Sequence, residues 1–90
     1  MKATHLLIEG VVQGVGFRFF TERTGRRLGV RGFVRNLPDG RVEVVAAAAP
    51  GVVSLFVEEM RRGPRGARVR SVTTSEIDLV DEPTEFEIRA

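Results

Sequence analysis

The chain has no cysteine, no tryptophan and no tyrosine, and it has one histidine and one lysine among 90 residues. Without cysteine there is no disulfide, no thiolate zinc site and no thiol nucleophile. The single histidine, His5, lies at the start of the first apolar stretch. A lone histidine there is more often structural than catalytic, which leaves little for a histidine-based relay. The carboxylates Glu9, Asp39, Glu58 and Glu59 show no metal-ligand spacing. Glu58 and Glu59 are helix neighbours that do not face each other. No apolar run is long enough to cross a bilayer, and no signal-like segment is visible, so a cytoplasmic protein with no membrane partner is expected. Repeats, low-complexity tracts and linkers are also missing, and a chain of this length is expected to be one domain over residues 1–90.

A charge excess is missing too. The isoelectric point is about 10.4, yet the formal net charge is only +2. Almost all the basic residues are arginine and, with no Tyr or Cys, little titrates between neutrality and high pH, so a small arginine excess lifts the isoelectric point. The high value is therefore not evidence for a polyanionic partner, and no nucleic acid is expected.

What the chain does contain is a clear alternation of elements. "THLLIEGVV", 4–12, is apolar and β-branched and predicts a strand. Phe17, Phe20, Thr24 and Leu28 recur at helical spacing, and Gly29 is a stop. "VRGFVRNL", 30–37, and "RVEVVA", 41–46, flank the turn residues "PDG" and predict a hairpin. Pro50 and Gly51 open a second helix with the stripe Val53, Phe56, Val57 and Met60, and Gly63 and Pro64 end it. Strands are predicted over 69–80 and, more briefly, over 85–89. This order is the split βαβ, or ferredoxin-like βαββαβ, arrangement. It predicts an α+β sandwich, an antiparallel sheet with both helices packed on one face.

Two stretches carry chemistry. In "QGVGFR", 13–18, a two-glycine turn runs into a helix whose early position is an arginine. A helix N-terminus is already partly positive, so a cation there is misplaced unless an anion joins it. Gly14 and Gly16 allow a turn that aims successive N–H groups inward, and no Ser, Thr, Asp or Asn is present to cap them. Taken alone, the loop has two readings, an oxyanion cradle completed by Arg18 or an ordinary glycine turn with a solvated arginine. It is neither a Walker A loop nor the three-glycine dinucleotide fingerprint. The second stretch is "GFVRNLPDG", 32–40, in which Asn36 ends a strand. Asn36 either initiates the turn or supplies a neutral amide that orients a water. An enzyme built on these groups would work by charge stabilisation and positioning, with little proton transfer from the protein.

Together, "GVVQGVGFRFF", "LGVRGFVRNLPDGRVEV", "RRGPRGARV" and the closing "FEIR" resemble the acylphosphatase family, over essentially the whole chain and in the family's order. The resemblance implies hydrolysis of the carboxyl–phosphate anhydride of a small acyl phosphate to a carboxylate and inorganic phosphate, the latter being product and inhibitor. It implies that Arg18 binds the phosphoryl group and that the loop backbone of Gln13, Gly14, Val15, Gly16 and Phe17 cradles the same oxygens. It implies that Asn36 orients the attacking water, that no metal or organic cofactor takes part, and that the protein is a monomer. Phe33 stands where a tryptophan is frequent in the family, and Gly25 where alanine is frequent; a glycine inside a helix costs roughly 1 kcal/mol.

Rival readings keep the fold and change the role. "RGF" at 31–33 matches the opening of the RNA-recognition signature, but Val34 and Arg35 then break it. Acylphosphatase-like domains also occur in the large carbamoyltransferase of hydrogenase maturation, where the ligand would be carbamoyl phosphate. A non-catalytic phosphate binder is the third.

Overall fold

A computed structural model describes residues 1–90. The elements run β1 (Lys2–Val11), α1 (Phe17–Leu28), β2 (Arg31–Asn36), β3 (Val42–Ala47), α2 (Pro50–Arg62), β4 (Arg68–Asp78) and β5 (Phe86–Arg89). They form one sheet in the order β4-β1-β3-β2-β5, and the first four strands pair antiparallel. The short β5 adds parallel to β2, with Gly32 opposite Phe86 and Arg35 opposite Arg89, so the five-stranded sheet is mixed. To reach that edge from β4, residues 79–85 cross the helix-free face, where Leu79 packs on Ala3, Val45 and Ala47.

Strand alternation decides which side chains meet the helices. Leu6 and Ile8 of β1, Val34 of β2, Val42 and Val44 of β3 and Phe86 of β5 face them and are fully buried with Phe17, Phe56 and Met60. Truncating Phe56 or Phe86 to alanine is expected to cost about 3–5 kcal/mol. On α1 the buried face is Phe17, Thr21, Thr24 and Gly25, with Phe20 and Leu28 at its margin. The predicted stripe of Phe17, Phe20, Thr24 and Leu28 is therefore turned slightly. The reason is Gly25: a Cβ there would stand 2.8 Å from the Phe86 ring. The helix turns its smallest residue to the closing strand, so the glycine that looks like a propensity cost is the seat for Phe86. On α2, Phe56 and Met60 are buried, and Val52 and Val57 flank them.

One local feature aims the chain at the site. The pairing of β1 with β4 shifts register between Glu9 and Gly10. Such a bulge bends and twists a strand, here just before the glycine loop.

Candidate active site

The loop between β1 and α1 is shaped by Gly14 and Gly16, with φ of 75° and 77°. Most other residues there bear roughly 1–2 kcal/mol of left-handed strain, Asn and Asp the least. No atom lies within 4 Å of a Cβ built at either position, so the requirement is conformational and not one of space. The N–H groups of Gln13, Gly14, Val15 and Gly16 donate to no backbone carbonyl. The first bond into α1 runs from the Phe20 N–H to the Gly16 carbonyl at 3.0 Å. No side chain caps the helix and its first turn holds no acidic residue. The N–H groups of Phe17, Arg18 and Phe19 therefore have no intrahelical acceptor, and the helix dipole adds positive potential at the same place.

Arg18 follows on the first turn. Its Nη1 donates to the Arg89 carbonyl of β5 at 3.2 Å, so it is braced by a neutral acceptor and not by a carboxylate. Across from it, β2 ends on Asn36. The Asn36 Oδ1 is the one buried side-chain polar atom without a hydrogen-bond partner. Buried polar groups are normally paired, so this atom stands out as an acceptor that the protein itself does not use. Gly14, Gly16, Phe17, Arg18 and Asn36 line one pocket of about 240 Å³. Val12, Phe19 and Ile88 complete its wall.

Two residues of the predicted set behave differently. Val15 lies half-buried against the core and does not line the pocket. The Gln13 side chain leaves the loop and donates to the Leu37 and Arg41 carbonyls at 2.8 and 2.9 Å. Sequence reasoning missed Phe19, Ile88 and the Arg89 carbonyl. The alternation of "FEIR" puts Ile88 on the same side as Phe86, which was the available signal; a backbone carbonyl leaves none.

No carboxylate or imidazole lines the pocket. The titratable cluster sits on the other face, where His5 Nε2 bonds Glu43 Oε2 at 2.8 Å and Arg35 Nε donates to Glu43 Oε1. Burial pushes the Glu43 carboxyl up, but the His5 and Arg35 hydrogen bonds outweigh it and hold the carboxyl below its usual range. In the β2–β3 turn the Asp39 carboxyl is also held low, first by the Arg41 backbone N–H that donates to it. That same helix-free face carries a cleft of about 460 Å³ bounded by residues 79–85. Its aromatic residue, Phe33, has the Arg89 guanidinium 4.0 Å from its ring centroid. The stacking platform that an RNA-recognition module needs is thus occupied from within.

What lines the pocket is two glycines whose N–H groups bond no carbonyl, one arginine and one neutral amide, with hydrophobic side chains around them. The family model for acylphosphatase matches residues 4–88. The chain belongs to the acylphosphatase family. An acylphosphatase from Rhizobium etli is 45% identical over 87 residues, covering 97% of this chain and 93% of that protein. The crystal structure of acylphosphatase from Bacillus subtilis is similar throughout, with a TM-score of 0.94 at 30% identity and all of both chains covered. The crystal structure of T. kodakarensis HypF is similar with a TM-score of 0.90 at 32% identity, over 99% of this chain and 12% of that one. The two motifs through which the sequence resembles the acylphosphatases meet at the pocket just described. One supplies the glycine loop and Arg18, the other Asn36.

Proposed function

We propose that the 240 Å³ pocket is where this chain hydrolyses acyl phosphates, with the loop holding the phosphoryl group and Asn36 the water. The loop and first-turn N–H groups bind the phosphoryl oxygens, and Arg18 binds them bidentately. The Asn36 carbonyl oxygen accepts a hydrogen bond from the water and aligns it with phosphorus. The water oxygen attacks phosphorus, the bond from phosphorus to the acyl oxygen breaks, and the carboxylate departs with the electron pair. A carboxylate needs no protonation to leave, and the water's proton passes to a phosphoryl oxygen. Charge stabilisation and alignment are what such a transfer asks of a protein. The observation that carries this reading is that Arg18, two glycines whose N–H groups bond no carbonyl, and the unpartnered Asn36 line one small cavity. The same reading takes the protein as a monomeric cytoplasmic enzyme of one domain, with inorganic phosphate as product and inhibitor.

The test is hydrolysis of benzoyl phosphate, followed by loss of its ultraviolet absorbance, for wild type and two variants. Arg18→Gln is expected to lose on the order of 10³-fold in kcat/KM together with inhibition by phosphate. Asn36→Ala is expected to lose about 10²-fold in kcat with phosphate inhibition nearly intact. Phosphate inhibition that survives in Arg18→Gln removes Arg18 from its role. No turnover by folded wild type leaves a binding site only, and directs attention to carbamoyl phosphate.

A further inference from the structure

The chain contains one glutamine and one asparagine, Gln13 and Asn36. The fold sets them on the two segments that must cooperate. We propose that the Gln13 carboxamide is a positioning residue, a clip that fixes the anion loop at a set distance from Asn36. This rests on the hydrolytic reading above.

The clip has a defined geometry. Gln13 Nε2 is half-buried and uses both hydrogens, one to the Leu37 carbonyl at 2.8 Å and one to the Arg41 carbonyl at 2.9 Å. Those carbonyls are the two ends of the β2–β3 turn. The Leu37 N–H donates to Arg41 O at 2.8 Å, and the Gly40 N–H to Leu37 O at 3.2 Å. Each carbonyl therefore accepts two N–H groups, the full capacity of its two lone pairs. Only a neutral NH₂ offers two donors from one atom to such a pair without burying a charge.

Both segments need the restraint. The backbone N–H groups from Gln13 to Gly16 are bonded to no carbonyl, so nothing in the loop's own backbone ties it to the sheet there. Asn36 forms the last register pair of the hairpin, opposite Val42, and its own side-chain oxygen has no protein partner. Its place is therefore set by the backbone, and Leu37, which the clip holds, is the next residue. A displacement of about 1 Å between a bound phosphoryl group and an aligned water can cost 10²-fold in rate. The turn's charged side chains, Asp39 and Arg41, pair with each other at 2.9 Å and leave the clip to neutral groups.

The experiment compares Gln13→Met and Gln13→Glu with wild type on benzoyl phosphate. Gln13→Met keeps the length and loses both donors. It is expected to lower kcat 10- to 100-fold while phosphate inhibition changes less than about threefold. Gln13→Glu sets a carboxylate against two carbonyl oxygens at neutral pH. Its kcat relative to wild type is expected to climb as pH falls and the protonated acid regains one donor. Wild-type kcat in both variants, a pH-invariant loss in Gln13→Glu, or loss of phosphate binding in Gln13→Met would each overturn the clip. A measurement on the unaltered protein stands if the variants do not fold. With two carboxamides in the chain, the amide NMR spectrum has two side-chain NH₂ pairs. The Gln13 pair should exchange slowly with solvent and stay put when phosphate is added; fast exchange refutes the clip. Wild type that fails to turn over benzoyl phosphate sinks the hydrolytic reading instead, while the NMR result still decides the hydrogen bonds.

Discussion

The N-termini of α1 and α2 share a deficiency and resolve it in opposite ways. Neither has a capping side chain, and neither has an acidic residue in its first turn. In α2 the donors are reduced. Pro50 brings no N–H to the first turn, and the Ala49 carbonyl, in an extended residue, takes bonds from both Val52 and Val53 at 3.0 Å. In α1 the donors are kept. Its cap is a left-handed glycine, its approach loop adds more free N–H groups, and Arg18 adds a full positive charge. One terminus is simply closed, and the other is left in electrostatic debt. On the function proposed above, the helix start that accumulates positive charge with no internal anion receives the substrate's phosphoryl group.

The sharpest way to break this comparison is to supply α1 with an anion of its own. Gly16→Asp puts a carboxylate at the pocket, where an added side chain meets no atom within 4 Å. Phosphate affinity and kcat/KM are each expected to fall about 100-fold, from like-charge repulsion at the anion site. Gly16→Asn, equal in shape and in tolerance of the left-handed region, is expected to fall far less. Equal losses would reduce the loop's glycine to a backbone requirement and dissolve the contrast.

A smaller effect separates stability from the site. Glu43 lies on the opposite face, bonded to His5 and Arg35. Glu43→Gln is expected to destabilise the fold by about 1–2 kcal/mol at pH 7 and leave kcat unchanged. The folded carboxyl lies below its ordinary value of 4.5, so its contribution is complete above that value and is lost as pH falls through the lowered one. Denaturant curves for the two proteins should therefore converge in that acid range. A gap that persists unchanged there would mean the charge of Glu43 contributes nothing.

The smallest change is a cap for α2. Ala49 has φ −60° and ψ 148°, the backbone that a capping serine adopts. Ala49→Ser should add about 1 kcal/mol, read as a rise of a few degrees in Tm, with turnover untouched. Reduced activity in that variant would tie α2's terminus to the site and blur the distinction.

Much of this was legible because glycine, proline and side-chain period are local signals. The stops at Gly29 and Gly63, the start at Pro50 and the hairpin around residues 38–40 all fall where the sequence puts them. Arg18 and Asn36, singled out from the two motifs, line one pocket. The parallel direction of β5 was not legible, because alternation tells which face a residue takes and is silent on a strand's neighbour or sense. The role of Gly25 waits on knowing that Phe86 arrives above it. The target of the Gln13 amide lies 24 and 28 residues away and depends on the hairpin being in place.

The bond from Arg18 to the Arg89 carbonyl has a consequence in time. It spans 71 residues, the reach of most of the chain. The loop and helix that carry Arg18 are local and can form early. The strand that braces Arg18 is the last element of the sheet, and it is seated through Phe86 over Gly25. Long-range pairings of this kind are assembled late, because the chain between them must be closed first. Full activity should therefore return after secondary structure during refolding, in step with the docking of β5. Turnover then becomes a clock hand for the final event of folding.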